Sequence, residues 1–443
     1  MNVAHDAAES PLSSYLKYGL IFFLYYFIYG GTIPFLAVWL GDTAKLEAGA
    51  IGLLFGSKAI FALLLQPLFG FLTDRLDNRK HLLWCLIGLL VLFAPYMKWV
   101  FAPLLAENLL LGVLAGGIYL GTIFAAGSGT FESYIEKACR ASHLPYGRVR
   151  MFGAIGYGCS AALSGMLVST NPESIFWIGS GCALVLVVLF LQVRPASAVA
   201  QPDGGDERHS PISAATIKAL LAKRNFWFLI LYVVGVACLY DVFDQQFVKF
   251  FCSFFDTPQQ GTRVFGFITV LTEGSVALMM FFIPGLLKRI GGKNALIIAG
   301  FVMSIRIIGS GLATSPAELV AMKMLHALEV PLIFIGMFKY IEDVFDTRLS
   351  ATIYMAGFIF AKGLGVTIIS PVAGYMYEAL GFKDAYLILG SVAFLFTVIS
   401  ILTLDSGSYK SLHRLDIFAK KTKASPADGE QANLIPHAER KAY

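Results

Sequence analysis

Lys323, His326 and Glu329 recur every three residues in VAMKMLHALEVPLIF. At about 100° per residue, each lies roughly 60° from the next on a helix. The three then form one polar stripe on an otherwise apolar rod. His326 is the only one of the seven histidines near the middle of a long apolar run. Glu329 stands among Leu328, Val330 and Pro331. A carboxyl in apolar surroundings, set near an arginine, is suited to taking up and releasing a proton. Other ionisable groups fall in similar runs: Tyr240, Asp241 and Asp244 with Gln245 and Gln246 in YDVFDQQF, then Glu273, Arg306, Lys362 and Lys58, with Glu132 and Arg150 near run ends. Carboxylates accept hydrogen bonds from hydroxyls and a guanidinium donates in a rigid fork. Together they could grip a solute rich in hydroxyls. Ion pairs that merely fix helix packing are the competing reading, above all for Asp241 with Lys362. Lys58 fits three readings equally: it could snorkel, pair with an acid, or touch a solute.

The elements that hold these groups are apolar. Of 443 residues, 57% are apolar and only 14% charged, against about 25% charged in ordinary soluble domains. A bilayer span needs roughly 20 apolar residues, so the composition supports about twelve spans with little left for a soluble core. A soluble enzyme, a nucleic-acid binder and a disordered scaffold are excluded. No nucleophile–base pair or metal cluster argues for an enzyme of any kind. The cysteines form no C-x-x-C pair, which indicates neither a disulfide framework nor a zinc site. The polar start, with Asp6 and Glu9, lacks the marks of a cleaved signal peptide.

Apolar runs occur near 16–40, 49–72, 82–103, 108–131, 149–169 and 175–193, and again near 226–250, 264–287, 295–313, 317–340, 351–376 and 382–404. Residues 1–15 read as an N-terminal tail, 16–193 and 225–404 as two six-helix bundles, 194–224 as a polar linker and 405–443 as a C-terminal tail. Basic residues gather in alternate connections, while STNPES and ATSP on the other side carry none. By the positive-inside rule the termini and the linker are cytoplasmic. An internal repeat agrees with two halves. GFLTDRLDNRK, with Gly70, Asp74, Arg75, Arg79 and Lys80, follows the second run as PGLLKRIGGKN follows the eighth, each reading as a short basic turn. Parallel repeats with a midplane site are a transporter design.

The segments YDVFDQQF, GTRVFGF, RIGGKNAL, KMLHALEVP, FESYIEK and YGRVRMFG together resemble the bacterial oligosaccharide/proton symporters typified by lactose permease, with the melibiose, raffinose and sucrose permeases as siblings. The resemblance runs from about Tyr18 to Leu404. It implies an all-α membrane protein with the major facilitator fold, twelve transmembrane helices in two halves, and no cofactor beyond the coupling proton. The carrier would be a monomer in the bacterial inner membrane, with sugar, protons and lipid as partners and no nucleic acid. The family pattern assigns sugar binding to Glu132, Arg150, Glu273, His326 and the pair Asp241–Lys362, with Tyr26, Ser128 and Tyr157 at the sugar. It assigns proton coupling to Glu329 and Arg306, with Tyr240, Asp244, Lys323 and His326 between them.

Departures bear on the substrate. Tyr157 stands where lactose permease has Trp and the sucrose-type relatives have Tyr. Val276 replaces an asparagine that helps hold sugar, Ser128 replaces a small alanine, and Asp77 replaces the usual glycine of the basic turn. The Asp–Lys pair and Glu273, absent from sucrose permease, are all kept. The expected activity is therefore proton-coupled uptake of a galactoside of the lactose, melibiose or raffinose type. A sucrose/proton symporter and an uncoupled uniporter are the alternatives. A sugar receptor is disfavoured because the linker holds no output domain.

Overall fold

The computed structural model describes residues 11–75, 81–168, 170–192, 220–345 and 349–406 of the 443. Asp77, Arg79 and Lys80, residues 1–10 and 407–443 of the expected tails, and all but residues 220–224 of the linker lie outside them. Gly70 lies in the second helix, and Asp74 and Arg75 close it.

Among the described residues the chain is helical with no strand. The helices are α1 (Pro11–Asp42), α2 (Ala48–Arg75), α3 (His81–Val91 with Phe93–Glu107), α4 (Leu109–Ala141), α5 (Tyr146–Leu167) and α6 (Ser174–Gln192). After the linker come α7 (Arg224–Gln245), α8 (Pro258–Leu312), α9 (Pro316–Val344), α10 (Tyr354–Leu380) and α11 (Phe382–Thr403). Nine are long and apolar enough to cross a membrane, or ten if the bent α3 counts as one span. Helix is the form in which a chain satisfies its own backbone groups inside lipid. Capping sets several starts. Thr257 and Ser315 each accept a backbone N–H three residues on, and a proline follows each cap.

Local backbone departs from the sequence expectation at two places. The third run, expected as one span, is bent by 55° between its two helices. The stretch PGLLKRIGGKN, expected to be a short turn, is helical on both sides of a single break at Gly291, where φ is 76°. A left-handed residue without a Cβ is what that break requires, and it leaves α8 as two rods. α1 begins at Pro11, inside the stretch expected as tail.

The helices pack α1 on α5, α2 on α10, α5 on α8 and α8 on α9 and α11. The contacts of α2 with α10 and of α5 with α8 join the first part of the chain to the second. Both are made by glycines at the end of the bundle away from the termini. A Cβ on Gly52 would meet Gly374 Cα at 3.0 Å, and one on Gly165 would meet Gly266 Cα at 3.0 Å. Small residues let helices approach to backbone contact. Gln246 Nε2 donates to Ala48 O (2.9 Å) and Gly49 N to Glu378 Oε2 (3.1 Å) across the same seam, while Gln245 Nε2 ties α7 to α10 beside it through Ser370 Oγ (2.8 Å). In the loop beside it, a hydrogen bond from Glu378 pushes the Glu47 carboxyl above the usual carboxylate range. The parts of the chain are thus zipped at one end.

Candidate functional site

Below the glycine seam, α1, α2, α4 and α5 face α7 to α10 across a cavity of about 520 Å³. One wall carries Tyr29, Lys58, Gln66, Ser128 and Tyr157. The other carries Tyr240, Asp241, Asp244, Glu273, Lys323, His326 and Lys362. Three of the helices bearing these groups, α4, α7 and α10, are locally underwound. A π-helical stretch directly precedes Ser128 in α4 (Gly121–Ala126), Tyr240 in α7 (Val233–Ala237) and Lys362 in α10 (Tyr354–Phe360). Such turns re-aim side chains and recur at functional sites.

The stripe of α9 faces α7 and both rods of α8. Lys323 Nζ donates to Asp244 Oδ1 at 2.9 Å. Arg306, from the second rod of α8, donates through Nη2 to Asp244 Oδ1 (2.5 Å) and through Nη1 to Glu329 Oε2 (2.8 Å). The guanidinium also lies 4.7 Å from the Phe243 ring centre. Arg306 and Glu329 are fully buried and stand behind the cavity wall, while Asp244 reaches it. His326 Nδ1 is 3.6 Å from Asp244 Oδ2, and its Nε2 is 4.0 Å from Glu273 Oε1. Tyr240 stacks on the imidazole, ring centres 5.3 Å apart. Lys362 Nζ bonds Asp241 Oδ2 at 3.0 Å among the rings of Tyr240, Phe334 and Phe358.

A row of ionisable groups therefore runs from the cavity inward, Glu273, His326, Asp244, Arg306 and Glu329, hydrogen-bonded from Asp244 onward and in proximity only through His326. Breaking a buried ion pair by removing one partner costs about 3–5 kcal/mol, so Asp244, which bonds both Arg306 and Lys323, is also structural. Glu329 Oε1, Arg306 Nε and His326 Nδ1 are buried without a hydrogen-bond partner. Glu329 Oε1 and His326 Nδ1 are free to take a proton, while Arg306 Nε is an N–H donor free only to rearrange.

Glu132, Arg150 and Tyr26 form a second cluster, outside the residues that line the cavity. Arg150 Nη2 and Nε donate to Glu132 Oε1 at 3.1 and 3.4 Å, and Tyr26 Oη donates to the same oxygen at 2.7 Å. Arg150 keeps 51% and Glu132 33% of side-chain exposure, so the cluster opens to the side opposite the seam. Aromatic rings link it to the cavity: Tyr26 lies 6.1 Å from Tyr29, and Tyr29 6.1 Å from Tyr157. Val276, expected beside the solute, instead packs on Ala327 and Val330. Sequence reading missed Tyr29 and Gln66 on the wall, though Tyr29 is the last aromatic in the stretch IFFLYYFIYGG of residues 21–31.

Comparison with known proteins gives the same direction. The chain is 47% identical over 406 residues to the raffinose permease of Escherichia coli, covering 91% of this chain and 95% of the relative. It is 48% identical over 391 residues to the melibiose permease of Enterobacter cloacae subsp. cloacae, covering 88% and 92%. Against the sucrose permease of Escherichia coli identity falls to 31% over 392 residues, covering 88% and 92%. In three dimensions the nucleoside transporter NupG matches with a TM-score of 0.75 at 16% identity, over 88% of this chain and 99% of that one. With relatives of that identity along nearly all its length, and with residues 9–416 matching the family's sequence profile, the chain belongs to the LacY proton/sugar symporter family.

Proposed function

We propose that this protein carries a galactosyl oligosaccharide of the raffinose, melibiose or lactose type into the cell together with a proton, by alternating access of one chamber. The observation that carries the reading is the row of ionisable groups from the wet cavity to a fully buried Glu329 through Arg306. Protonating Glu329 leaves Arg306 to Asp244 alone, and the change in that shared bond is felt at the wall where a sugar hydroxyl meets Asp244, His326 or Glu273. Sugar affinity is in this way tied to the proton on Glu329. The pair Asp241–Lys362 and Glu273, all on the cavity wall, favour a galactoside over sucrose.

Counting the two rods of α8 separately, the bent α3 as one span, and α5 with its polar start gives twelve spans in two bundles, 16–193 and 225–404. The basic connections, by the positive-inside rule, support a reading with both termini in the cytoplasm of a bacterial inner-membrane protein. The chamber is lined by residues of a single chain, which supports a monomer, and kinship with proton/sugar symporters supports the proton as the coupling ion. Adding sugar to a weakly buffered, de-energised suspension should alkalinise the medium in step with uptake. Uptake with no pH change would leave a uniporter.

The seam supplies a test of the rocking motion. A Cβ on Gly52 would come within 2.4 Å of Ser370 O. Overpacking of this kind costs about 1–3 kcal/mol, which is roughly a five- to hundred-fold shift of a two-state balance. Gly52→Leu should therefore hold the seam open, keeping sugar binding while cutting net uptake about tenfold or more. Binding and uptake measured on the same membranes check it. Wild-type uptake would show that the seam need not close.

A further inference from the structure

Five cations serve the chamber and its two clusters, and four are engaged: Arg150 with Glu132, Arg306 with Glu329 and Asp244, Lys323 with Asp244, and Lys362 with Asp241. The fifth is Lys58, half-buried on the cavity wall. Among the described residues no carboxylate bonds it. Its ammonium lies 5.6 Å from the Phe55 ring centre and feels the field of Asp241, whose carboxylate Lys362 already holds. The helix around it is fixed, because Gly117 and Gly121 bring α4 against the backbone of Ser57 and Lys58. The ammonium thus stays in the chamber with a bond to offer.

Charge accounting gives this a consequence. The five cations face five carboxylates, Glu132, Asp241, Asp244, Glu273 and Glu329, so the sites balance when every acid is ionised. A proton taken up for symport leaves one positive charge in excess. A neutral sugar cannot offset it, whereas a sugar with one carboxylate can. We propose that Lys58 makes the chamber a binding site for galactosides that carry a carboxylate on the far residue, a uronic or aldonic acid, and that the ammonium pairs with that carboxylate. The proposal rests on the symport reading above and adds a class of substrate to it. Asp241 and Asp244 face the same space, but each is already bonded to a cation; Glu273, the third carboxylate there, lies on the wall opposite Lys58, beside His326 at 4.0 Å, so the anion is drawn to the Lys58 side.

Lactose and lactobionate share the galactosyl group and differ at the other end in a carboxylate, which isolates the contact. Competition of each against labelled melibiose uptake is measured in cells carrying the full chain, with Lys58→Leu and Lys58→Arg beside the wild type. Lactobionate is expected to compete in the wild type. Its affinity relative to lactose should fall at least tenfold in Lys58→Leu, about 1.4 kcal/mol, and recover in Lys58→Arg, which restores the charge. Two results overturn the proposal while leaving symport intact: no competition by lactobionate where lactose competes, or an equal loss for both sugars in Lys58→Leu. Absence of any competition by neutral galactosides in the wild type would instead bring down the reading beneath it.

Discussion

Glu329→Ala is expected to abolish accumulation of sugar against a gradient while leaving exchange of sugar across the membrane. The internal-to-external ratio should fall to about one, the limit for a carrier with no coupled ion. In the present geometry Glu329 is held only by Arg306, and its other oxygen has no partner. Removing the carboxyl leaves Arg306 bonded to Asp244, so the buried guanidinium is still paired and the bundle should survive. What is lost is the group that distinguishes a proton-loaded carrier from an empty one. Coupling needs sugar to bind the loaded form preferentially, and each tenfold preference is about 1.4 kcal/mol. With nothing to protonate, that preference vanishes and sugar simply equilibrates. Counterflow of labelled sugar against an unlabelled load, beside uptake driven by an imposed pH gradient, separates the two activities. Normal accumulation by the variant would remove Glu329 from the proton path.

Asp244 makes the contrast. It is bonded by Arg306 and Lys323 and faces His326, so its loss strands Lys323 without a carboxylate and leaves Arg306 to Glu329 alone. A variant there should fail through folding, with little protein in the membrane, by the same 3–5 kcal/mol scale for an uncompensated buried charge. The row is therefore divided between a replaceable end at Glu329 and an indispensable hub at Asp244.

Much of this was legible in the chain itself. The stripe Lys323, His326, Glu329 follows from spacing alone, because positions three apart share a helix face whatever surrounds them. The pairs were not legible: Asp244 meets Arg306 across 62 residues of sequence, and only the break at Gly291 turns the second rod of α8 back to deliver it. Glu132 and Arg150 were expected to grip one sugar together; that they bond each other, and that they stand outside the cavity wall, depends on how far α4 and α5 extend past it. Val276 marks the limit of reasoning by substitution. Its type said that a hydrogen bond was missing, while its packing on Ala327 and Val330 shows a side chain that belongs to the helix interface. Lys58 was ambiguous for a similar reason, since snorkelling, pairing and binding differ only in what stands opposite.

Arg150→Lys should abolish measurable sugar binding, although charge and helix are unchanged. In the structure the guanidinium places both Nε and Nη2 on a single oxygen of Glu132, and Tyr26 adds its hydroxyl to the same atom. Three donors on Oε1 lock the carboxylate and leave Oε2 and the remaining face of the guanidinium directed elsewhere, an acceptor and a donor side by side. That is the pattern that neighbouring hydroxyls of a pyranose require, each hydroxyl giving one hydrogen bond and taking another. A lysine ammonium is a point charge without a fork. It can hold Glu132 or reach the sugar, and it cannot keep the carboxylate oriented while doing both. Hydrogen bonds to charged groups contribute about 1.5–3 kcal/mol each, so losing two of them weakens binding by at least about a hundredfold on a scale of 1.4 kcal/mol per tenfold. Because Arg150 is half-exposed, its replacement should leave the amount of protein in the membrane unchanged, and a direct binding measurement reads the loss without interference from folding. Tyr26→Phe provides the graded companion: it removes one donor from Oε1, keeps the fork, and should weaken binding by roughly tenfold on the same scale. Near-normal affinity in Arg150→Lys would mean that Glu132 and the cavity wall orient the sugar without the fork, and the second cluster would then be a packing feature of α4 and α5.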